Sequence, residues 1–204
     1  MFVSRRYDLS LVSVDEGNAW QNFGTPTLSS NNSGYAFLDS LHGIVAPLTY
    51  DDIPTTFHNY YGTSDGGLTW KMLPFQKQTW QSLGYKRSFF ILADNYYNDA
   101  DIIFPDSAIY RSDDFGVSWK RIYDFPKIMI GTLRADSNSL YAQSEGQSYY
   151  TPNPSENRLG FFRSTDEGLS WNSICGPYND HATRFYVSDY GIWAGDFARG
   201  LWFN

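Results

Sequence analysis

Three stretches of this sequence set tyrosines beside carboxylates and amides. They are Tyr50, Asp51 and Asp52; then Asn95, Tyr96, Tyr97, Asp99 and Asp101; then Glu145, Gln147, Tyr149 and Tyr150. Tyrosine rings offer flat faces on which sugar rings stack, while carboxylates and amides bond to hydroxyls. The same mixture suits a protein partner. Paired carboxylates also cleave glycosidic bonds, and the separation between them sets the stereochemical outcome. Asp51, Asp52, Asp99 and Asp101 are the candidates for that chemistry. The run from Asp94 to Asp101 is rich in oxygen ligands but lacks the glycine and terminal glutamate of an EF-hand loop, so it reads as a solvated loop and no metal is assigned. The competing reading of all three stretches is an ordinary polar loop whose tyrosines pack on the rim.

Other chemistries find little footing. His42, His58 and His181 are far apart and show no metal-ligand spacing; His42 reads as part of a turn before Gly43. Cys175 is the single cysteine, so no internal disulfide exists, and it reads as a small half-buried apolar residue. Nucleophile-elbow, phosphate-loop and dinucleotide fingerprints are all missing. No cofactor is expected.

The net charge is −7 and the pI about 4.8, with basic residues scattered apart from short pairs such as Arg5-Arg6 and Lys86-Arg87. Such a surface repels phosphate backbones, which argues against nucleic acid and anionic membranes as partners. No apolar run approaches the length of a transmembrane helix, and Met1 to Ser10 holds no signal-peptide core. Aromatic residues make up 19% of the chain and charged residues 18%. That balance buries enough apolar surface to fold, and aromatics favour the pleated surface of strands over helices.

The elements that must position the three stretches announce themselves as a repeat. Four segments align: Ser13-Val14-Asp15-Glu16-Gly17-Asn18-Ala19-Trp20, Thr63-Ser64-Asp65-Gly66-Gly67-Leu68-Thr69-Trp70, Ser112-Asp113-Asp114-Phe115-Gly116-Val117-Ser118-Trp119 and Ser164-Thr165-Asp166-Glu167-Gly168-Leu169-Ser170-Trp171. The shared pattern is [ST]-x-D-x-G-x-[STA]-W, with successive aspartates about fifty residues apart. An aspartate in a tight connection accepts bonds from backbone N–H groups just ahead of it. The glycine two residues on supplies a left-handed conformation without a Cβ clash. The tryptophan is expected to bury about 150–250 Å² as an anchor for each unit. In the first copy Ala19 replaces the hydroxyl, so that copy is expected to be looser.

These segments resemble the Asp-box, or BNR repeat, of sialidases, sortilin-type receptors, xyloglucan-degrading glycosidases and photosystem II assembly-factor-like proteins. The resemblance implies an all-β fold: a β-propeller of four-stranded antiparallel blades in which each box joins the third and fourth strands. It also implies that the boxes are structural and lie opposite the usual binding face. A sialidase would need an arginine triad, and Arg87, Arg134 and Arg184 read as lying near the starts of inner strands in three units. The family's Arg-Ile-Pro signature is absent; Arg121-Ile122-Tyr123 is its nearest approach.

The strands are placed near 35–38, 43–47, 58–62 and 69–73; near 84–86, 89–93, 108–111 and 118–122; near 130–134, 139–143, 160–163 and 170–174; and near 184–187, 191–195 and 200–203. The N-terminal piece supplies a third and fourth strand around the first box. The whole chain, 1–204, reads as one propeller domain of about four blades. Either its two ends share a blade and close a ring, or the chain is an arc completed elsewhere, in which case it can form oligomers. The apparent duplication of the third strand, near 9–13 and near 200–203, counts against simple closure. Insertions fall at one place in three blades, between the second and third strands, at 48–57, 94–106 and 144–159. The leading expectation is therefore a non-catalytic, extracytoplasmic or secreted binding or scaffold propeller. It would recognise a glycan or a protein through Tyr50, Asp51, Asp52, Tyr96, Tyr97, Asp99, Asp101, Tyr149 and Tyr150. A sialidase-like glycoside hydrolase and a structural unit of a larger assembly are the alternatives.

Overall fold

The computed structural model describes residues 2–6, 9–13, 15, 17–22, 32–48, 59–75, 77, 79–94, 107–125, 128, 130–144, 160–174, 184–196 and 200–203. Among these every regular element is a strand. The order is β1 (Phe2–Arg6), β2 (Leu9–Ser13), β3 (Gln21–Asn22), β4 (Asn32–Phe37), β5 (Gly43–Leu48), β6 (Tyr60–Thr63), β7 (Lys71–Leu73), β8 (Thr79–Tyr85), β9 (Ser88–Asp94), β10 (Ser107–Ser112), β11 (Lys120–Phe125), β12 (Ile130–Ala135), β13 (Leu140–Ser144), β14 (Phe161–Ser164), β15 (Asn172–Ile174), β16 (Arg184–Ser188), β17 (Gly191–Asp196) and β18 (Gly200–Phe203).

The strands form consecutive antiparallel blades: β4-β5-β6-β7, β8-β9-β10-β11 and β12-β13-β14-β15. A single parallel pairing, Leu48 with Thr79, joins the first two of these into one sheet. At the two ends of the chain lie two separate three-stranded sheets, β1-β2-β3 and β16-β17-β18. By internal contacts the chain divides into two compact units, residues 1–93 with 110–121, and residues 94–109 with 122–204.

Second strands carry the core. Ile44, Val45 and Ala46 of β5, Phe89 to Ala93 of β9 and Leu140 to Ala142 of β13 are buried, on both faces of their strands. These segments therefore read as unbroken apolar runs rather than as alternating ones. The fourth strands β7, β11 and β15 are mostly exposed. Within the first unit, Gly84 lets β8 pass close to β4: a Cβ there would lie 2.3 Å from the carbonyl oxygen of Phe37.

An aromatic seam repeats from blade to blade. In the first unit Phe75, just past β7, meets Tyr60, Tyr110 and Trp119 at ring-centroid distances of 4.9, 5.4 and 4.9 Å. In the second unit Phe125, closing β11, meets Tyr123, Phe162 and Trp171 at 4.9, 5.3 and 5.4 Å. Trp119 and Trp171 thus each pack on a phenylalanine that ends the preceding blade, while Trp70 meets Tyr35 and Phe37 of its own blade at 6.1 and 6.3 Å. This corrects the expectation of buried tryptophan anchors. Trp70, Trp119 and Trp171 are half-buried and Trp20 is 44% exposed, whereas Tyr60, Phe75, Tyr110 and Phe125 are the buried members of the seam. The physical reason is that each indole Nε1–H donates to the carbonyl of its own box glycine, at 2.9–3.1 Å, which holds the ring over the turn near the surface.

Candidate functional site

The four boxes share one geometry. The Ser or Thr that opens the box donates its hydroxyl to Oδ1 of the box aspartate: Ser13 to Asp15 at 2.8 Å, Thr63 to Asp65 at 2.7 Å, Ser112 to Asp114 at 2.8 Å and Ser164 to Asp166 at 2.8 Å. The same hydroxyl accepts from the N–H of the box glycine at 2.7–2.8 Å. Oδ1 then accepts the N–H four residues on, from Ala19, Thr69, Ser118 and Ser170, at 2.8–2.9 Å. Oδ2 accepts the hydroxyls of Thr69, Ser118 and Ser170 at 2.5, 2.6 and 2.6 Å. Ala19 lacks that hydroxyl, so the first box holds its aspartate by one bond fewer.

These donors all favour the charged form of the carboxylate. The Thr69 hydroxyl and N–H hold Asp65 down at about 2, and the Ser170 pair does the same for Asp166. Asp114 is lowered by Ser118, and Asp15 by the Ala19 N–H and the Ser13 hydroxyl. The box aspartates are thus bonded inward to their own turns.

The turn itself uses two left-handed residues where the pattern had suggested only the glycine. Phe115 and Glu167 have φ of 60° and 59°, as Gly66 does at 72°, and the following Gly67, Gly116 and Gly168 have φ near 90°. Two consecutive positive φ values are the mark of a type I′ connection, whose twist matches that of the flanking strands. Since the hydroxyl residue and its N–H are both tied to the aspartate, the fourth strands begin only after the tryptophan. They start at Lys71, Lys120 and Asn172, two residues later than the sequence suggested.

The nine ligand candidates, Tyr50, Asp51, Asp52, Tyr96, Tyr97, Asp99, Asp101, Tyr149 and Tyr150, lie outside the described residues, as do His58, Cys175 and His181. The structure does fix the strands that flank them. The connections that carry them run from β5 to β6, from β9 to β10 and from β13 to β14, the same pair of strands in each blade. In the pairing registers, Gly43 meets Thr63 and Leu140 meets Ser164 at the box end. The long connections therefore leave from the opposite end of each blade.

The arginine trio does not occupy equivalent positions. Arg134 pairs with Tyr141, one step from the β12–β13 turn, and Arg87 is exposed in the β8–β9 turn. Arg184 pairs with Gly195, at the far end of β16 from its turn. Arg184 opens β16 and Arg87 directly precedes β9, near strand starts as expected, whereas Arg134 lies near the end of β12. Arg134 is partly desolvated, which lowers its pKa, and donates to the carbonyl of Leu133 at 3.0 Å. His42 does lie in the turn before Gly43. There its Nδ1 is 2.9 Å from Asp39 Oδ2, and its ring stacks on Phe115 at 4.2 Å. Among the described residues no cluster of His, Cys, Asp or Glu has the makings of a metal site.

No protein-family profile matches the chain. Among curated proteins it is similar to the vacuolar protein sorting/targeting protein 10 of Verticillium alfalfae, 27% identical over 104 residues. That match covers 47% of this chain and 7% of the relative. The protein of the same name from Colletotrichum graminicola is 28% identical over 87 residues, covering 39% of this chain and 5% of the relative. Among solved structures it is similar to an ancestral GH74 enzyme, with a TM-score of 0.56 and 14% identity over 95% of this chain and 27% of that one. The GH74 xyloglucanase of Xanthomonas campestris gives a TM-score of 0.50 and 15% identity, over 83% of this chain and 30% of that one. The chain thus spans a small part of each protein it matches, and the fold it shares with the two solved structures is that of β-propeller blades.

Proposed function

We propose that this chain is a binding propeller. It recognises a protein or glycan ligand through the connections between second and third strands, without catalysing a reaction. The observation that carries this reading is positional. Three blades lengthen at the same connection, away from the box end, and long loops on a rigid scaffold are where recognition usually resides. The box aspartates Asp15, Asp65, Asp114 and Asp166, by contrast, are satisfied within their own turns. The curated relatives are vacuolar protein sorting/targeting proteins, which favours a protein ligand over a glycan and a lumenal or extracytoplasmic setting. The scattering of Arg87, Arg134 and Arg184 over unlike blade positions weighs against a sialidase-type carboxylate clamp.

The test is a joint substitution of Tyr96, Tyr97, Tyr149 and Tyr150 by alanine, with binding measured against glycan and peptide arrays. Loss of at least about tenfold in affinity for whatever ligand the wild type retains is expected, since each aromatic anchor lost typically costs more than 1 kcal/mol. Unchanged binding would contradict the reading.

A further inference from the structure

One box carries a step that the other three lack. Asp65 is followed by Gly66, and it is the only aspartate of the chain with a glycine after it; no asparagine has one either. In the other boxes Glu16, Phe115 and Glu167 hold that position. An aspartate followed by glycine is the dipeptide most open to attack by its own backbone. The nitrogen of the next residue lies within reach of the side-chain carboxyl carbon. Glycine has no Cβ to hinder the approach or to restrict the backbone rotation that the attack needs.

The fold gives a reason for this glycine. Gly66 has φ of 72°, and its N–H donates to the Leu41 carbonyl at 2.9 Å. A Cβ at this position would lie 2.9 Å from the carbonyl oxygen of Ser40, a backbone atom that cannot swing aside as the end of a flexible side chain would. Phe115 and Glu167 hold a similar φ in their boxes, so the left-handed turn alone does not exclude a side chain. The β4–β5 turn lying against the second box does. Close packing of two turns thus places a reactive dipeptide where the other boxes have none.

The same contacts hold the step unreactive. Oδ1 of Asp65 accepts from the Thr63 hydroxyl and the Thr69 N–H, and Oδ2 accepts from the Thr69 hydroxyl. These donors keep the carboxylate ionised. An ionised carboxylate is a poor electrophile and has no hydroxyl to lose as water. The nucleophile is occupied as well, because the Gly66 N–H is bonded to the Leu41 carbonyl. Electrophile and nucleophile are released together when the hairpin opens and leaves the β4–β5 turn.

We propose that Asp65–Gly66 is a fold-gated modification site, closed in the intact hairpin and converted to isoaspartate once the second box opens. In the opened chain the Gly66 nitrogen attacks Cγ of the protonated Asp65 carboxyl. The N–Cγ bond forms and the Cγ–OH bond breaks. The hydroxyl leaves as water with the proton from nitrogen, and a cyclic imide remains. Water then adds to one of its carbonyls. Opening at Cγ restores aspartate, whereas opening at the α-carbonyl leaves the chain linked through the former side chain. The water lost in the first step is regained in the second, and nothing is oxidised or reduced. The isoaspartyl backbone is longer by a methylene, and its free carboxylate sits directly on Cα. That carboxylate no longer meets Thr63 and Thr69 in the box register, so the modified hairpin does not close as before.

The experiment incubates the full chain in a mildly acidic buffer, folded in one sample and in denaturant in another. Isoaspartate is mapped by peptide mass spectrometry after digestion with an endoproteinase that cuts before aspartate but not before isoaspartate. Slow chemistry at a site that opens and closes quickly follows the population of the open form. Isoaspartate at position 65 is therefore expected to form at least about tenfold faster in denaturant than in the folded chain. Thr69→Ala removes the hydroxyl latch and should raise the folded-state rate while leaving the denatured rate unchanged. Gly66→Ala is compared in denaturant, so that folding plays no part, and should slow the reaction at least about tenfold. After the denaturant is removed, unmodified chains are expected to regain the original melting temperature. Chains with isoaspartate are expected to melt lower or not to refold. Equal rates in the folded and denatured chain, a folded-state rate unmoved by Thr69→Ala, or modified chains that regain the original melting temperature would overturn the inference.

Discussion

Glycines in the boxes differ in what they must tolerate, and the differences are measurable. Gly116 has φ of 89°, and a Cβ built there would lie 2.7 Å from Leu73 Cδ1 and 3.4 Å from Ile44 Cγ2. Gly17 has φ of 91° and nothing within 4 Å of the same point. Gly116→Ala combines left-handed strain with a clash against buried neighbours and is expected to cost about 2–4 kcal/mol. Gly17→Ala carries the strain alone, about 1 kcal/mol. Chemical denaturation of the two variants checks the ordering, and equal losses would show that packing around the third box is looser than described. The role of the box glycine was legible in the sequence because the position demands a left-handed backbone. The left-handed states of Phe115 and Glu167 were not legible, since nothing in either residue type favours them. The geometry comes from the flanking strands, which need a connection with their own twist.

At the scale of the element, the box hairpin is a staple that depends on an ionised aspartate. Asp65 and Asp166 are held at about 2 in the folded chain, against about 3.9 for an unfolded aspartate. A depressed folded pKa gives stability that is fully present above the unfolded value and is lost as pH falls through the folded one. The chain is therefore expected to hold its melting temperature down to about pH 4 and to lose it between about pH 4 and pH 2. Asp166→Asn should flatten that dependence. Melting curves across this range test it; a profile for the variant identical to that of wild type would show that the boxes do not set acid stability.

Most strands were legible because the fifty-residue repeat sets their phase and because buried second strands read as apolar runs. The strand β1 (Phe2–Arg6) was missed, as its sequence Phe-Val-Ser-Arg-Arg follows two apolar residues with two cations and shows no alternation. What makes it a strand is its partner: all five of its residues pair with β2. The seam phenylalanines Phe75 and Phe125 were also missed, because they lie outside the box motif that drew attention to the tryptophans. The loop candidates stood out for composition and place, yet which of their side chains converge depends on tertiary arrangement that composition does not encode.

The proposed function divides duties between the two ends of each blade. At the box end, carboxylates, hydroxyls and indoles bond to their own turns and fix the hairpins. At the other end, three blades carry long connections between their second and third strands. Loop length is cheap in closure entropy, roughly 0.6 kcal/mol per doubling, so such insertions persist only lightly taxed by stability and are free to carry recognition. The measurement that tests this division most directly is to replace residues 145–159 by a four-residue turn joining Ser144 to Gly160, and to record melting temperature and ligand binding together. The account predicts a melting temperature within a few degrees of wild type and the loss of ligand binding. A chain that no longer folds, or one that folds and binds as before, would contradict it.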